Sequence, residues 1–328
     1  MSQEPILSVK PKLIDDMAEM VLANASRNPV FKKEKPLKSG IKKLLKGTSM
    51  LAAKKGVIDS FYKSDQLQAY FMLTRVEFAP GIPVTYGIVN GRNNKAAKTW
   101  ISEKIKEVEF LIDDKTTLEV PVHFKTDLDM FEDHGFFIDT VRLVGRPEQC
   151  LKRLEESIPK TPTFLEHDLK VSEATFDDLK ELKALEYQEF KRNPQFGWFV
   201  ANDTWINYAY KRRANAKKNK VGKALVLKDH QGQLKGYYGY DVDQTPQYGP
   251  MAGSELIFDQ SLQGKGLSKF CYQELLKDIV DKKAKLLMGN TAQIGVLKHA
   301  KTMGRCPLSF SMRHSPGHFP KEHFLKFL

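Results

Sequence analysis

The sequence is poor in cysteine: its 328 residues contain only three, at positions 150, 271 and 306. None lies in a CxxC pair or beside a histidine cluster, which excludes a disulfide scaffold and argues against a structural zinc site. No run of 18 uncharged apolar residues occurs, so we expect no membrane-spanning helix. The first residues also lack the apolar segment of a signal peptide. These absences predict a soluble, cytoplasmic protein without a bound metal.

The sequence is rich in positively charged residues, and its apolar content is that of an ordinary globular protein. Lys and Arg number 52 against 40 Asp and Glu, a formal charge of +12, while 41% of residues are hydrophobic and 10% aromatic. That apolar content excludes a disordered chain, and the length suits two domains of about 160 residues. The charge excess favours an anionic partner, which includes nucleic acid, a phosphorylated cofactor, an acidic protein or a membrane surface.

The chain contains an internal repeat. The string RNPxF begins at Arg27 and again at Arg192, and each copy follows an acidic helix start and precedes a lysine-rich stretch. Alternating patterns then predict hairpins over 57–71 and 224–238. Each half continues with a helix of period 3.6 (97–108; 267–279), a short strand (118–122; 285–288), another helix and a glycine, Gly135 or Gly304. We predict domains at 1–160 and 161–328, joined by the proline-containing residues 158–163.

A strand, a glycine turn and a helix follow one another over residues 254–270. Gly264 and Gly266 lie immediately before the helix, with Lys265 and Lys269 beside them. A helix N-terminus exposes unpaired N–H groups and the positive end of the helix dipole, and glycine lets backbone approach a phosphate closely. The spacing matches neither the dinucleotide turn GxGxxG nor the nucleotide loop GxxxxGK[ST]. By itself this pattern also suits a glycine-rich αβ connection.

Together with its neighbours, this segment resembles the acyl-CoA-binding motif of the GNAT superfamily of acyltransferases. The family motif [QR]-x-x-G-x-[GA] corresponds to residues 263–268, QGKGLS, in which Ser268 is a small-residue departure, and the resemblance covers about 168–313. It implies an α/β (α+β) fold with a mixed sheet, as two tandem GNAT-like domains. It also implies backbone pairing of one strand with pantetheine and amides of 264–269 on the pyrophosphate of acetyl-CoA or another acyl-CoA. The cofactor-binding residues so implied are Leu256, Ile257, Phe258, Gln263, Gly264, Lys265, Gly266, Leu267, Ser268, Lys269 and Asn290.

The first half carries a degenerate version of this motif. Alignment of its helix places Arg92 to Ala97 over the motif, with Lys95 in place of the central glycine. A side chain at that position should obstruct the turn. We therefore expect the first domain to have lost its acyl-CoA site and to act as a structural or substrate-positioning lobe.

The resemblance also suggests catalytic groups. Glu255 lies on the strand before the turn, where relatives place the general base; the alternative is a structural ion pair. The family's usual general-acid tyrosine is replaced by Ala300, and by Phe131 in the first half. Asn290 either bonds pantetheine or substrate or caps the next helix. We interpret His299 as a surface helix residue and Cys306 as a packed thiol.

Aromatic residues precede a basic run in the second half. The aromatic residues are Trp198, Phe199, Trp205, Tyr208 and Tyr210, and the basic run is residues 211–220. Such a pattern occurs in nucleic-acid platforms, but helical spacing also suits a core face, and the family fold would place the aromatics near the acceptor pocket. The lysines of 32–46 suit a solvated helix face with buried leucines.

The leading hypothesis is an acyl-CoA-dependent N-acyltransferase, which by this resemblance is an N-acetyltransferase, acting directly on a small-molecule or acidic amine. Two alternatives stay open: an aminoacyl-tRNA-dependent transferase of the tandem type, and a non-catalytic CoA-binding regulatory protein. The intact motif at 263–268 favours CoA over an aminoacyl-tRNA donor, and a role in nucleic-acid binding alone is disfavoured.

Overall fold

A computed structural model describes residues 9–158, 168–192, 202–314 and 325. Helices and strands alternate in a mixed α/β arrangement around one sheet. The helices are α1 (Pro11–Ala25), α2 (Lys38–Lys55), α3 (Lys95–Glu107), α4 (Asp129–Glu132), α5 (Pro147–Ser157), α6 (Phe176–Arg192), α7 (Asp203–Lys218), α8 (Leu267–Asp281) and α9 (Ile294–Thr302). The strands are β1 (Gly56–Lys63), β2 (Gln66–Ala79), β3 (Ile82–Gly91), β4 (Thr116–Pro121), β5 (Phe136–Gly145), β6 (Lys170–Glu173), β7 (Gly222–Lys228), β8 (Leu234–Thr245), β9 (Gly249–Phe258), β10 (Leu286–Thr291) and β11 (Cys306–His314).

The strands form a single sheet of order β1-β2-β3-β4-β11-β5-β10-β9-β8-β7-β6. Its pairs are antiparallel except β3–β4 and β9–β10. The order is nearly symmetric about the β11–β5 pair, because β11 lies beside β4 of the first half and β5 lies beside β10 of the second half. The two halves therefore share one continuous sheet through an exchange of strands, which the sequence did not indicate.

The predicted local elements are present. The hairpins become β1–β2 and β7–β8, and the periodic helices become α3 and α8. From α6 to β11 the helices and strands follow the same order as from α1 to β5, whereas β6 has no counterpart in the first half. The division at 160/161 stays a prediction, since residues 159–167 lie outside the described part of the chain. The second RNPxF copy also falls largely outside it.

Each periodic helix packs its apolar stripe against one face of the sheet. Ala97, Ile101 and Ile105 of α3 lie in a buried cluster with strands of the first half and with β11. Leu267, Cys271, Leu275 and Ile279 of α8 lie in a second buried cluster with β7–β10 and α5. Burial of these side chains holds each helix, and therefore its N-terminus, at a defined place on the sheet.

The first RNPxF copy has a structural role. The Asn28 side chain accepts from Val30 N at 3.0 Å and donates to the Pro307 carbonyl on β11 at 3.1 Å. Phe31 stacks on Tyr248, with ring centroids 5.5 Å apart. This motif thus joins the N-terminal helices to strands of the second half. Within the described ranges, no helix is both long and apolar enough to cross a membrane.

Candidate acyl-CoA site

Strands β9 and β10 separate partway along their length. They pair in parallel only at three positions, the last of which is Met288 opposite Gly253. β9 continues to Phe258 and stays paired with β8 on its other edge. The backbone edge of residues 254–258 therefore faces an opening between the two strands. Ser254 Oγ is buried there and has no partner among the described residues.

The turn after β9 presents open backbone at a helix N-terminus. Gly264 and Gly266 have φ of +77° and +75°, and a Cβ built on either would meet no atom within 4 Å. Gly266 is the N-cap of α8, and no side chain caps the helix. The first N–H groups of α8 and its dipole therefore point toward free space, beside the half-buried Lys269 and the exposed Lys265.

Gln263 ties this turn to the rest of the second half. Its Nε2 donates to Glu189 on α6 at 2.8 Å and to the Phe258 carbonyl at 3.4 Å. The Asp259 side chain accepts from Ser261 N at 2.9 Å, and Leu262 is buried beneath the turn. These contacts hold the glycines in place before any ligand arrives.

The corresponding place in the first half is closed. Its helix α3 begins after Asn94, whose side chain accepts from Ala97 N at 2.9 Å and so caps the helix. Because α3 and α8 begin at Lys95 and Leu267, Asn94 rather than Lys95 corresponds to Gly266, which corrects the sequence alignment by one residue. His123 also donates from Nε2 to the Gly91 carbonyl at 2.9 Å, filling the end of β3.

Glu255 takes part in a network of ion pairs. Its Oε2 accepts from Arg213 Nε at 2.8 Å and its Oε1 contacts Arg212. Arg213 also makes a bidentate pair with Glu186 on α6, at 2.6 and 2.8 Å. Arg213 and Glu186 are 6% and 1% exposed. Both carboxylate oxygens of Glu255 are therefore occupied by guanidinium groups, as expected if Glu255 forms a structural ion pair. The role of Glu255 as a general base stays a prediction.

In the sequence, Arg213 is only one member of the basic run 211–220, and its buried position was not predicted. The signal that marks it is its helical spacing from the buried Ile206 and Ala209 of α7, which puts it on the inner face of that helix. A charged side chain on such a face needs a buried partner. Glu186 and Glu255 supply it.

Two other predicted positions have contacts of their own. Asn290 is exposed, and its Oδ1 accepts from Arg142 Nε of β5 at 3.3 Å. It does not cap the next helix, whose N-cap is Gln293. Ala300 is buried in the core cluster shared with the first half, so no side chain at that position reaches the opening.

His299 differs from its predicted place on the surface. It is half-buried, its Nε2 has no partner among the described residues, and its ring lies 5.6 Å from that of Tyr272. Burial lowers the pKa of His299 to about 4, and burial likewise lowers the pKa of His123 to about 4. Both imidazoles are neutral at pH 7. Cys306 is a partly buried thiol in an apolar cluster, as predicted.

These histidines predict a loss of stability in acid. An unfolded histidine takes up a proton near pH 6.5, whereas the folded protein resists protonation until about pH 4. The free energy of unfolding should therefore fall as the pH drops from 6.5 to 4, by at most about 3 kcal/mol for each buried imidazole. Urea unfolding at several pH values measures it. His299→Phe should flatten the slope, and the exposed His230→Gln should leave it unchanged.

Two of the aromatic residues before the basic run lie between the halves. Trp205 and Tyr208 contact each other and pack on the apolar cluster of the β2–β3 hairpin, with Trp205 and Phe78 ring centroids 5.4 Å apart. These two rings are therefore part of a packed core face, the second of the interpretations that the sequence allowed. Trp198 and Phe199 lie outside the described residues.

No protein-family model and no curated protein matches this sequence. Among solved structures, a GCN5-related N-acetyltransferase from Sphaerobacter thermophilus aligns with 96% of this chain and 96% of its own, at a TM-score of 0.54 and 11% identity. A GCN5-related N-acetyltransferase-like protein from Streptococcus suis covers 90% of this chain and 100% of its own, at a TM-score of 0.40 and 13% identity.

The chain therefore has the GNAT superfamily fold, as the motif at 263–268 predicted. The mixed α/β class is confirmed with it. A likeness at 11% identity establishes the fold, while the reaction must be argued from the site. Across the described ranges, no group of three or more His, Cys, Asp or Glu side chains is arranged to hold a metal.

Proposed function

We propose that this protein is an acyl-CoA-dependent N-acyltransferase, with acetyl-CoA as the simplest donor, and that the second half holds the donor. One observation carries the proposal. The second half combines an open strand edge at 254–258 with an uncapped helix N-terminus behind two left-handed glycines, whereas the first half has both places filled by its own side chains.

The residues present fit an acyl-CoA. An extended pantetheine arm carries amides that suit pairing with the free edge of Leu256 to Phe258, and the unpartnered Ser254 Oγ offers a further hydrogen bond. The pyrophosphate suits the amides of Leu267 and Ser268, whereas Lys269 N already donates to the Gly266 carbonyl at 3.2 Å. A Cβ at Gly264 or Gly266 would project into the space that the pyrophosphate would occupy. Glycine therefore suits both positions for two reasons, the positive φ and the absence of a Cβ.

The chemistry asked of this site is amide formation from a thioester. The bound donor supplies an activated acyl carbon. The protein must hold the acceptor amine against it, exclude water, and take up the proton that the amine loses as the new C–N bond forms. On the α6 and α7 side of the opening, β9 supplies the Glu255 carboxylate and α7 supplies the guanidinium groups of Arg212 and Arg213. We further propose that the two halves are repeats, of which only the second kept a donor site.

The non-catalytic alternative has specific support. Glu255 is held by two arginines, and the family's tyrosine position is the buried Ala300. Either fact alone would suit a protein that binds acyl-CoA without turnover. The tRNA-dependent alternative has weaker support, because several lysines of the basic stretches are already paired, such as Lys42 with Asp15 and Lys217 with Glu173.

Calorimetric titration with acetyl-CoA tests the donor. We expect saturable binding at micromolar to submillimolar ligand, with a rise in the thermal midpoint. A panel of primary amines, followed by release of free thiol, then tests the reaction. Binding with no release across the panel would favour the regulatory alternative. Absence of acetyl-CoA binding, together with tRNA binding that weakens steeply with salt, would favour the tRNA-dependent one.

A further inference from the structure

Strands β7, β8 and β9 leave a small cleft beneath the C-terminal half of α7. Three glycines line this part of the sheet, Gly222, Gly239 and Gly253, and the Tyr237 hydroxyl covers Gly239. Asp241 of β8 stands among them, directly opposite Gly222 on one side and Gly253 on the other. The cleft is thus lined by a carboxylate with backbone on both sides of it.

Asp241 lies next to the point where β9 and β10 separate. Gly253 is the last residue of β9 that pairs with β10, and directly opposed residues of antiparallel strands have Cα atoms about 5 Å apart. A Cβ built on Gly253 would lie 2.9 Å from Asp241 Oδ1, so this carboxyl reaches over the backbone of β9. It therefore lies beside the end of the proposed pantetheine channel.

The two carboxylates of the cleft have opposite surroundings. Glu255 has both oxygens on arginines. Asp241 is half-buried, and within the described chain it makes no ion pair. The charged groups around it are Arg212, Arg213 and Lys217 of α7, Lys223 of β7, Asp243 of its own strand and Glu255 of β9. Of the cations, Lys217 is paired with Glu173 and Lys223 with Asp278.

We propose that Asp241 accepts the proton of the acceptor amine, and that Glu255 is a positioning residue that holds Arg212 and Arg213. This assignment rests on the proposed N-acyltransferase function. The amine lone pair attacks the thioester carbonyl carbon, the C–N bond forms, the C–S bond breaks with the thiolate as leaving group, and the amine proton passes to the Asp241 carboxylate before it is lost to thiolate or solvent.

The surroundings of Asp241 suit this task. Burial raises the pKa of the Asp241 carboxyl, although the nearby arginines oppose the shift. A raised value brings a base closer to working pH, where proton transfer is most effective. In many enzymes two neighbouring carboxyl groups have different environments, so that one transfers protons and the other stays ionised and acts through its charge.

Matched isosteric variants test the assignment. We expect Asp241→Asn to bind acetyl-CoA within about twofold of the wild type and to lose roughly 10²-fold or more in kcat. The acid limb of its kcat–pH profile should also disappear. Glu255→Gln should keep that limb and mainly raise KM for the amine. The reverse result, with the limb kept in Asp241→Asn and lost in Glu255→Gln, would overturn the proposal.

A readout without an acceptor keeps the two proposals separate. In the wild-type protein labelled with ¹³C at aspartate carboxyls, the Asp139 and Asp241 resonances should both titrate above the range of exposed aspartates, and only the Asp241 resonance should be missing from Asp241→Asn. An Asp241 resonance that titrates in the ordinary range would contradict the assignment even if acetyl-CoA binds. Absence of acetyl-CoA binding to the wild type, with the resonance shifted as expected, would instead remove the proposed function.

Discussion

Replacement of Gly266 by alanine should weaken acetyl-CoA binding at least tenfold, or about 1.4 kcal/mol. The Cβ would meet no protein atom, so the protein itself has room for it. It would project where a phosphate must approach the amides of α8, and alanine also resists the φ of +75° that opens the turn. Calorimetric titration of the variant against the wild type measures the change.

Gly249→Ala is the matched control. Gly249 has φ of +72°, a Cβ there also meets no atom within 4 Å, and it begins the same strand whose far end leads into the turn. The ten residues of β9 span roughly 30 Å, so Gly249 lies far from the proposed pyrophosphate turn. Both variants should lose a similar amount of stability, about 1 kcal/mol, from left-handed strain. Equal acetyl-CoA affinities in the two variants would contradict the proposed pyrophosphate site.

Removal of the Arg213 guanidinium should be the most destabilising single change near the site. Arg213→Met would leave Glu186, which is 1% exposed, without its bidentate partner. Breaking a buried ion pair from one side typically costs about 3–5 kcal/mol, because the remaining charge is unpaired in a poorly solvated place. Urea unfolding measures this loss of free energy, and the slope of the free energy of unfolding against urea concentration should stay unchanged.

Two further variants separate burial from charge. The double variant Arg213→Met with Glu186→Met should recover much of the loss, since it removes both buried charges. Lys180→Met breaks an exposed pair with Asp177 and should change the free energy of unfolding by less than about 0.5 kcal/mol. A double variant as unstable as Arg213→Met alone would show that Arg213 acts through packing, for example on the Tyr237 ring 5.1 Å from its guanidinium.

The candidate donor site was largely predictable because its parts are close in the sequence. A strand, a turn with two glycines and an amphipathic helix occupy 254–281, and each depends on neighbouring residues. Positive φ at Gly264 and Gly266 follows from a local preference of glycine. For the first half the sequence predicted an obstructed turn at Lys95, whereas the side chain that caps the helix there is that of Asn94.

The acid–base side of the cleft was not predictable in the same way. The position of Glu255 before the turn marked it as a candidate base. Its two arginine partners, however, come from α7, a helix that is distant from β9 in the sequence. Asp241 was missed because an aspartate in a strand of tyrosines and glycines has no distinctive pattern. Only the register of β8 with β7 and β9 shows that glycines flank it and that β10 departs beside it.

The three cysteines are free; Cys150 and Cys271 are buried and Cys306 is partly buried. The sequence by itself determined the elements, their repeated order and the glycine turn, since helix period, strand alternation and turn preference act over a few residues. Tertiary structure decided the exchange of β5 and β11, the network around Arg213 and the place of Asp241. Strand partners and buried charges take their free energy from segments distant in the chain, and no local pattern specifies which segments will meet.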